Sequence, residues 1–261
     1  MAKGLSELEN DFKSINKHWH DIYNCQSLKA KSYSEYIASI LANDFNKINI
    51  NPEGVRGDNF KLDSHNGTIQ NNTKLKQITE KRVCRAFFNL KLLKPFGEII
   101  DYEVPLTAPD QTKSKKQGHG DIDLLAIDNS KLFLIEAKKE KSNESILKGL
   151  LEAFTYSKKV ALRKKEFFKN YNFDSHIQIV PTVLVFKDST SGQQLLSFDK
   201  NKNTSLLYLL SLLNNDLRTS GVSGIEFYVV EPSFAISLKK NNHNKLIFQN
   251  PVKFKINQIA I

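Results

Sequence analysis

GDIDLLAIDNSKLFLIEAKKE, residues 120–140, decides how the rest of the chain is read. Two apolar runs flank Asp128-Asn129-Ser130-Lys131, and Asn-Ser at the tip of a four-residue turn is a hairpin signal. With Asp128 opposite Lys131, pairing runs back by fixed sums: Ile127 with Leu132, Leu125 with Leu134, Asp123 with Glu136, Asp121 with Lys138. Side chains alternate across a strand, so these residues share one face. The other face pairs Ala126 with Phe133, Leu124 with Ile135 and Ile122 with Ala137. Both faces are apolar near the turn, as in a central hairpin covered on both sides. The acids fall where that apolar character ends.

Facing carboxylates, with Cβ atoms about 4.5–5.5 Å apart, repel one another, and more strongly beside a dry core. Lys138 offers one positive charge nearby. A divalent cation resolves the conflict better, because Mg²⁺ takes oxygen ligands from carboxylates, waters and substrate phosphates. The other reading is a salt-bridged hairpin end in which Asp121 pairs with Lys138. A slip of one residue in register would send Asp123 and Glu136 to opposite faces.

Outward from the hairpin, the pattern predicts an amphipathic helix over 74–93, with Leu75, Ile78, Val83, Ala86, Phe87 and Leu90 as its stripe, stopped by Pro95 and Gly97. EIIDYEVPL (98–106) alternates like a strand. A helix is expected from about 143 to 168. QIVPTVLVF (178–186) reads as a strand whose Pro181 needs an edge position, a bulge or a late start. The order is helix, three strands, helix, strand. N-terminal to it, 5–23 and 33–46 look helical and 49–73 reads as a loop. C-terminal to it come a Leu-rich helix near 204–218 and short strands near 225–231, 234–239 and 245–249. This divides the chain into an N-terminal helical region (1–60), a core (74–190) and C-terminal additions (191–261).

With 261 residues, 40% of them hydrophobic and 25% charged, the chain suffices for one large domain or a core with appendages. No apolar run approaches the roughly 20 residues needed to cross a bilayer, and the first residues carry no apolar stretch of a secretory signal. Cys25 and Cys84 make neither a metal signature nor a disulfide framework. A cytoplasmic protein with reduced thiols, no membrane partner, is the expectation. The net charge of +10 fits either a polyanionic partner or a solvated Lys-rich surface. Lys113, Lys115 and Lys116 cluster before the hairpin, and Lys158, Lys159, Arg163, Lys164, Lys165 and Lys169 line one helix. Such runs neutralise phosphates. His119 reads as a simple loop residue.

Glu80 lies three residues before Val83 and four before Cys84, at the border of the apolar stripe. From there it either reaches the sheet or stays exposed beside Lys76, Lys81 or Arg85. Glu103, on the first strand, is a further acid in range, on an undecided face.

G-D-I-D, a short apolar strand, a turn and then L-F-L-I-E-A-K resemble the PD-(D/E)xK nuclease superfamily, which includes restriction endonucleases, junction resolvases and recombination exonucleases. The resemblance covers a bit under half of the chain. It implies an α/β (α+β) fold with a restriction endonuclease-like core, a mixed central sheet flanked by helices. It implies Asp123, Glu136, the Ala137 carbonyl and Glu80 as metal ligands for Mg²⁺ (Mn²⁺ substituting), and Lys138 as the catalytic lysine. Asp121 would restrain Lys138 from outside. The Pro of the family name is absent here, where Ile122 precedes Asp123. Relatives with Gln-x-x-x-Tyr on the next helix correspond here to Glu152-A-F-T-Tyr156, so Tyr156 fits and Glu152 departs. The activity implied is metal-dependent hydrolysis of DNA, double-stranded in the first instance, by a restriction, defence or DNA-processing endonuclease. Cutting both strands makes a homodimer reasonable. A non-cleaving nucleic-acid-binding protein on the same fold, or an interaction module whose hairpin acids only pair with lysines, are the competing classes.

Overall fold

The computed structural model describes residues 19, 22, 34–50, 55–70, 75, 77–107, 120–250 and 252–261. The expected first helix (5–23), Lys113, Lys115, Lys116 and His119 fall outside them or largely so; Trp19 and Ile22 are helical and buried. Helix α1 (Ser34–Asn43) is followed by a 3-10 turn, Phe45–Lys47, and the polar stretch 55–70 forms no regular element.

Helix α2 (Glu80–Leu90) is shorter at both ends than its apolar period predicts. Thr79 caps it, its side chain accepting from the Arg82 N–H, and a cap sets a helix start more firmly than periodicity does. At the other end Lys91 turns to a φ of 68°, so Leu90 is 43% exposed instead of joining the stripe. The short strand β1 (Leu92–Leu93) follows, then β2 (Gly97–Pro105), β3 (Asp121–Asp128) and β4 (Lys131–Lys138).

The single helix expected over 143–168 is two, α3 (Ile146–Leu162) and α4 (Lys164–Tyr171), parted where Arg163 leaves helical geometry. After them come β5 (Gln178–Phe186), α5 (Thr190–Leu196), α6 (Thr204–Thr219), β6 (Glu226–Pro232), β7 (Leu238–Lys240), β8 (Leu246–Phe248) and β9 (Phe254–Ile259). Neither α5 nor β9 was anticipated.

Seven strands form one mixed sheet in the order β1-β2-β3-β4-β5-β6-β9, while β7 and β8 pair separately. The strands β2, β3 and β4 are antiparallel; β5 and β6 add in parallel and β9 is antiparallel at the edge. The C-terminal third therefore extends the central sheet itself. Pro181 is accommodated by a late start: β5 pairs with β4 from Gln178, but with β6 only from Thr182.

Helices cover both faces. Leu125, Leu132 and Leu134 share one apolar cluster with Leu147, Leu150 and Phe154 of α3. Leu124, Ala126, Phe133 and Ile135 share the other with Val83 and Phe87 of α2. Apart from Ala126, each of these side chains contributes roughly 1.5–3 kcal/mol on burial, enough together to hold the hairpin register.

Candidate active site

The hairpin pairs in the expected register, Asp128 with Lys131 through Leu124 with Ile135, and then stops. Beyond that point β3 stays with β2, pairing Ile122 with Val104 and Asp121 with Pro105. Strand β4 stays with β5, pairing Glu136 with Val183 and Lys138 with Val185. The sheet forks, and the predicted constellation sits in the fork. Asp123 spans it, its Oδ2 accepting the Ala137 N–H at 2.9 Å. Asp121, expected to restrain Lys138, does not reach it: the parted strands carry it to Lys81 instead, at 3.3 Å. Glu103 also faces α2, at 3.4 Å from Arg85 and 3.6 Å from Lys81.

Lys138 is almost wholly enclosed, 1% exposed. Its Nζ lies 2.6 Å from Glu136 Oε1, 2.7 Å from Glu152 Oε2 and 2.9 Å from Glu144 Oε2. Lys148 backs the arrangement at 2.7 Å from Glu144 Oε1 and 3.0 Å from Glu152 Oε1. Burial alone would lower the affinity of Lys138 for its proton; Glu136, Glu152, Glu80 and Glu144 outweigh it and hold the ammonium well above the ordinary lysine range. For Glu144 burial is likewise outweighed, by Lys138 and Lys148, and its pKa drops to about 2.

The remaining acids are not so well served. Burial, and then the neighbouring Asp123 and Glu152, push Glu136 well above the carboxylate range, and its Oε2 is buried with no hydrogen-bond partner. Asp123 rises to about 7, chiefly through burial, with Glu80 adding to it against Lys138 and the Ala137 N–H. Glu80, at the first turn of α2, is also raised by burial, with Lys138 opposing and Glu144 and Glu152 adding to the rise, so it lies within the field of the cluster. Five carboxylates (Glu80, Asp123, Glu136, Glu144, Glu152) thus share two ammonium groups, Lys138 and Lys148. Acid in excess, hard oxygen donors and two buried carboxylate oxygens without hydrogen-bond partners, Glu136 Oε2 and Glu144 Oε2, suit a divalent cation. As the side chains lie, no three acidic, imidazole or thiol groups among the described residues are gathered closely enough to enclose one.

Helix α3 lies across the open ends of the strands. Glu152 touches Lys138. One turn on, Tyr156 packs on Gly120, where a Cβ would come within 2.2 Å of the phenol ring; this is why the GDID stretch opens on glycine. One further turn on, Lys159 reaches Thr107 Oγ1 at 3.1 Å. Lys159 is buried, its pKa lowered by burial to about 8, and Lys158 is committed to Asp216 at 2.7 Å and Ser220 at 2.8 Å. Neither projects freely as the expected basic face requires, because α3 is packed on nearly all sides. Arg163 is half-buried at the junction of α3 and α4.

Glu144, Lys148 and Glu152 escaped the sequence reading as site residues. Their i, i+4, i+8 spacing is visible in ESILKGLLE, residues 144–152, but only the fold shows that Lys138 lies under it. No protein-family model matches the chain, and no curated protein or solved structure matches it.

Proposed function

We propose that this chain is a metal-dependent nuclease that hydrolyses DNA phosphodiester bonds, an endonuclease of the restriction, defence or DNA-processing kind using Mg²⁺, with Mn²⁺ able to substitute. The observation that carries the reading is the forked sheet end, which gathers Asp123, Glu136, Ala137 and Lys138 with acid in excess of cation. A bound divalent ion would neutralise charge on a scissile phosphate and acidify a bound water.

The protein's own part can be derived from the arrangement. Asp123 is oriented by the Ala137 N–H, and Glu136 has Oε2 to spare; these two would hold the ion, with Glu80 and the Ala137 carbonyl as further oxygen donors. Lys138, kept protonated by its glutamates, would donate to a phosphate oxygen and stabilise the charge that develops there. The +10 surplus would draw DNA to the surface, and two active sites in a homodimer would serve the two strands of a duplex.

Circular and linear, single- and double-stranded DNA incubated with and without Mg²⁺ test the reading. Cleavage of duplex DNA, circles included, is expected only with the ion. Glu136→Gln and Lys138→Met are expected to lower the rate at least about a hundredfold. Undiminished cleavage in Glu136→Gln, or none by the unmodified chain on any of these substrates, overturns it. One observation favours a non-cleaving DNA-binding protein instead: the Lys138 ammonium is already enclosed by glutamates, donating to Glu136 and Glu152 and ion-paired with Glu144. That alternative predicts DNA binding with no cleavage and no Mg²⁺-dependent rise in Tm.

A further inference from the structure

We infer that Lys148 is a positioning residue for Lys138, an inference that rests on the nuclease reading for its consequence in catalysis. Lys148 pairs with neither Asp123 nor Glu136. It holds Glu144 Oε1 and Glu152 Oε1, while the second oxygen of each of those carboxylates, Oε2, holds Lys138 Nζ. Two ammonium and two carboxylate groups thus close a ring of alternating charge.

Three of the four corners, Glu144, Lys148 and Glu152, stand on successive turns at the start of α3 and just before it. Ser145 caps that start, accepting the Lys148 N–H. Gly149 lies against the Lys138 chain: a Cβ there would stand 3.7 Å from its Cε and 3.2 Å from Val183. A lysine side chain loses about 1.5–2 kcal/mol of rotamer freedom when fixed, and the ring is what fixes this one.

The ring also says which contact yields. An ammonium has three N–H donors; Lys138 donates to Glu136 Oε1 and Glu152 Oε2, and Glu144 Oε2 lies 2.9 Å away as an ion-pair contact. A substrate oxygen that approaches Lys138 competes with these three carboxylates. Glu144 and Glu152 are each tied a second time, to Lys148; Glu136 is not, and its other oxygen is unpartnered. Glu136 gives way, and the ring keeps Lys138 in place as it does.

Lys148→Met and Lys148→Arg in the full chain test this with Mg²⁺ and duplex DNA. Lys148→Met is expected to lower kcat about 10- to 100-fold, as displacement of a catalytic group does, with KM for DNA within about twofold. Lys148→Arg is expected to recover most of that loss, since a guanidinium bridges two carboxylates. Glu144→Gln, at a more exposed corner, is the milder variant and should move kcat the same way. In parallel, the Nζ resonance of Lys138 in ¹⁵N-lysine-labelled protein, assigned by its absence in Lys138→Arg, reports position without catalysis. It should shift or broaden in Lys148→Met and persist in Lys148→Arg. An unchanged resonance in Lys148→Met, or equal loss of kcat in both variants, overturns the inference. A resonance lost in Lys148→Met from a chain that cleaves no DNA upholds the clamp and removes the nuclease reading alone.

Discussion

Asp101 on β2 and Glu136 on β4 are both buried acids of the central sheet, and their partners differ in kind. Asp101 accepts from the Tyr102 N–H at 2.7 Å and the Tyr171 hydroxyl at 2.6 Å, and His65 Nδ1 lies 2.8 Å away. Those donors come from the sheet, from α4 and from the irregular stretch 55–70, so Asp101 pins three parts of the chain together. It sits at a bulge, where the β2–β3 register shifts between Ile99 and Asp101 and the side chain is turned toward them. Glu136 instead shares one ammonium with two other glutamates and keeps an oxygen with no partner. A buried polar atom left unpaired costs about 1–3 kcal/mol. Asp101 serves the fold; the fork stores a deficit that an added cation would relieve.

The largest effect should come from Lys138, the cation that three of the fork's glutamates touch. Lys138→Met leaves Glu136, Glu144 and Glu152 facing one another, and breaking a buried ion pair from one side costs about 3–5 kcal/mol. For a chain of this size that is a fall in Tm of roughly 6–20 °C, read by thermal unfolding in EDTA. A fall of less than 1 °C would mean that the glutamates are not held by Lys138 in solution. Asp101→Asn should cost less, about 1–3 kcal/mol, because it loses charge-assisted hydrogen bonds and not a cation. It should leave the rise in Tm on adding Mg²⁺ unchanged and cleavage within about twofold. If Asp101→Asn abolished the Mg²⁺ response, the two acids would not be doing separate jobs.

The hairpin was legible because local signals agreed. The turn at Asn129-Ser130 and the apolar residues on both faces each demand the same register, and Leu124 does meet Ile135. What local sequence does not contain is the competition for partners that ends that ladder. Val104 and Val183 draw β3 and β4 apart, so Asp121 meets Lys81 instead of Lys138. The basic run, expected on one helix, divides between two: α3 is buried nearly all round and takes Lys159 with it, while Lys165 and Lys169 on α4 stay exposed. Glu152 stood out only as a departure from glutamine, although it grips the central lysine. Strand β9 was missed because FKINQI is half-exposed at the sheet edge and its alternation is weak.

Asp123 gives the smallest and most discriminating effect, through pH. Burial raises its folded pKa from the ordinary aspartate value of 3.8 to about 7. The folded chain then holds a proton that the unfolded chain has released, so this group's contribution to stability is complete below about pH 4 and is lost as pH rises through about 7. Without divalent ions, stability should therefore decline from pH 5 to pH 8. Because Asp123, Glu136 and Glu80 compete for the same protons, the share belonging to Asp123 is on the order of 1–2 kcal/mol. Asp123→Asn keeps an oxygen for the Ala137 N–H but cannot ionise, so it should flatten that decline and be the more stable protein at pH 8. Mg²⁺ should do what acid does, raising the Tm of the unmodified chain more at pH 8 than at pH 5, where protons compete for the same oxygens, and should do so little in Asp123→Asn. A decline of equal slope in both proteins would place the titrating group elsewhere, and the fork would then be as well satisfied as the site around Asp101.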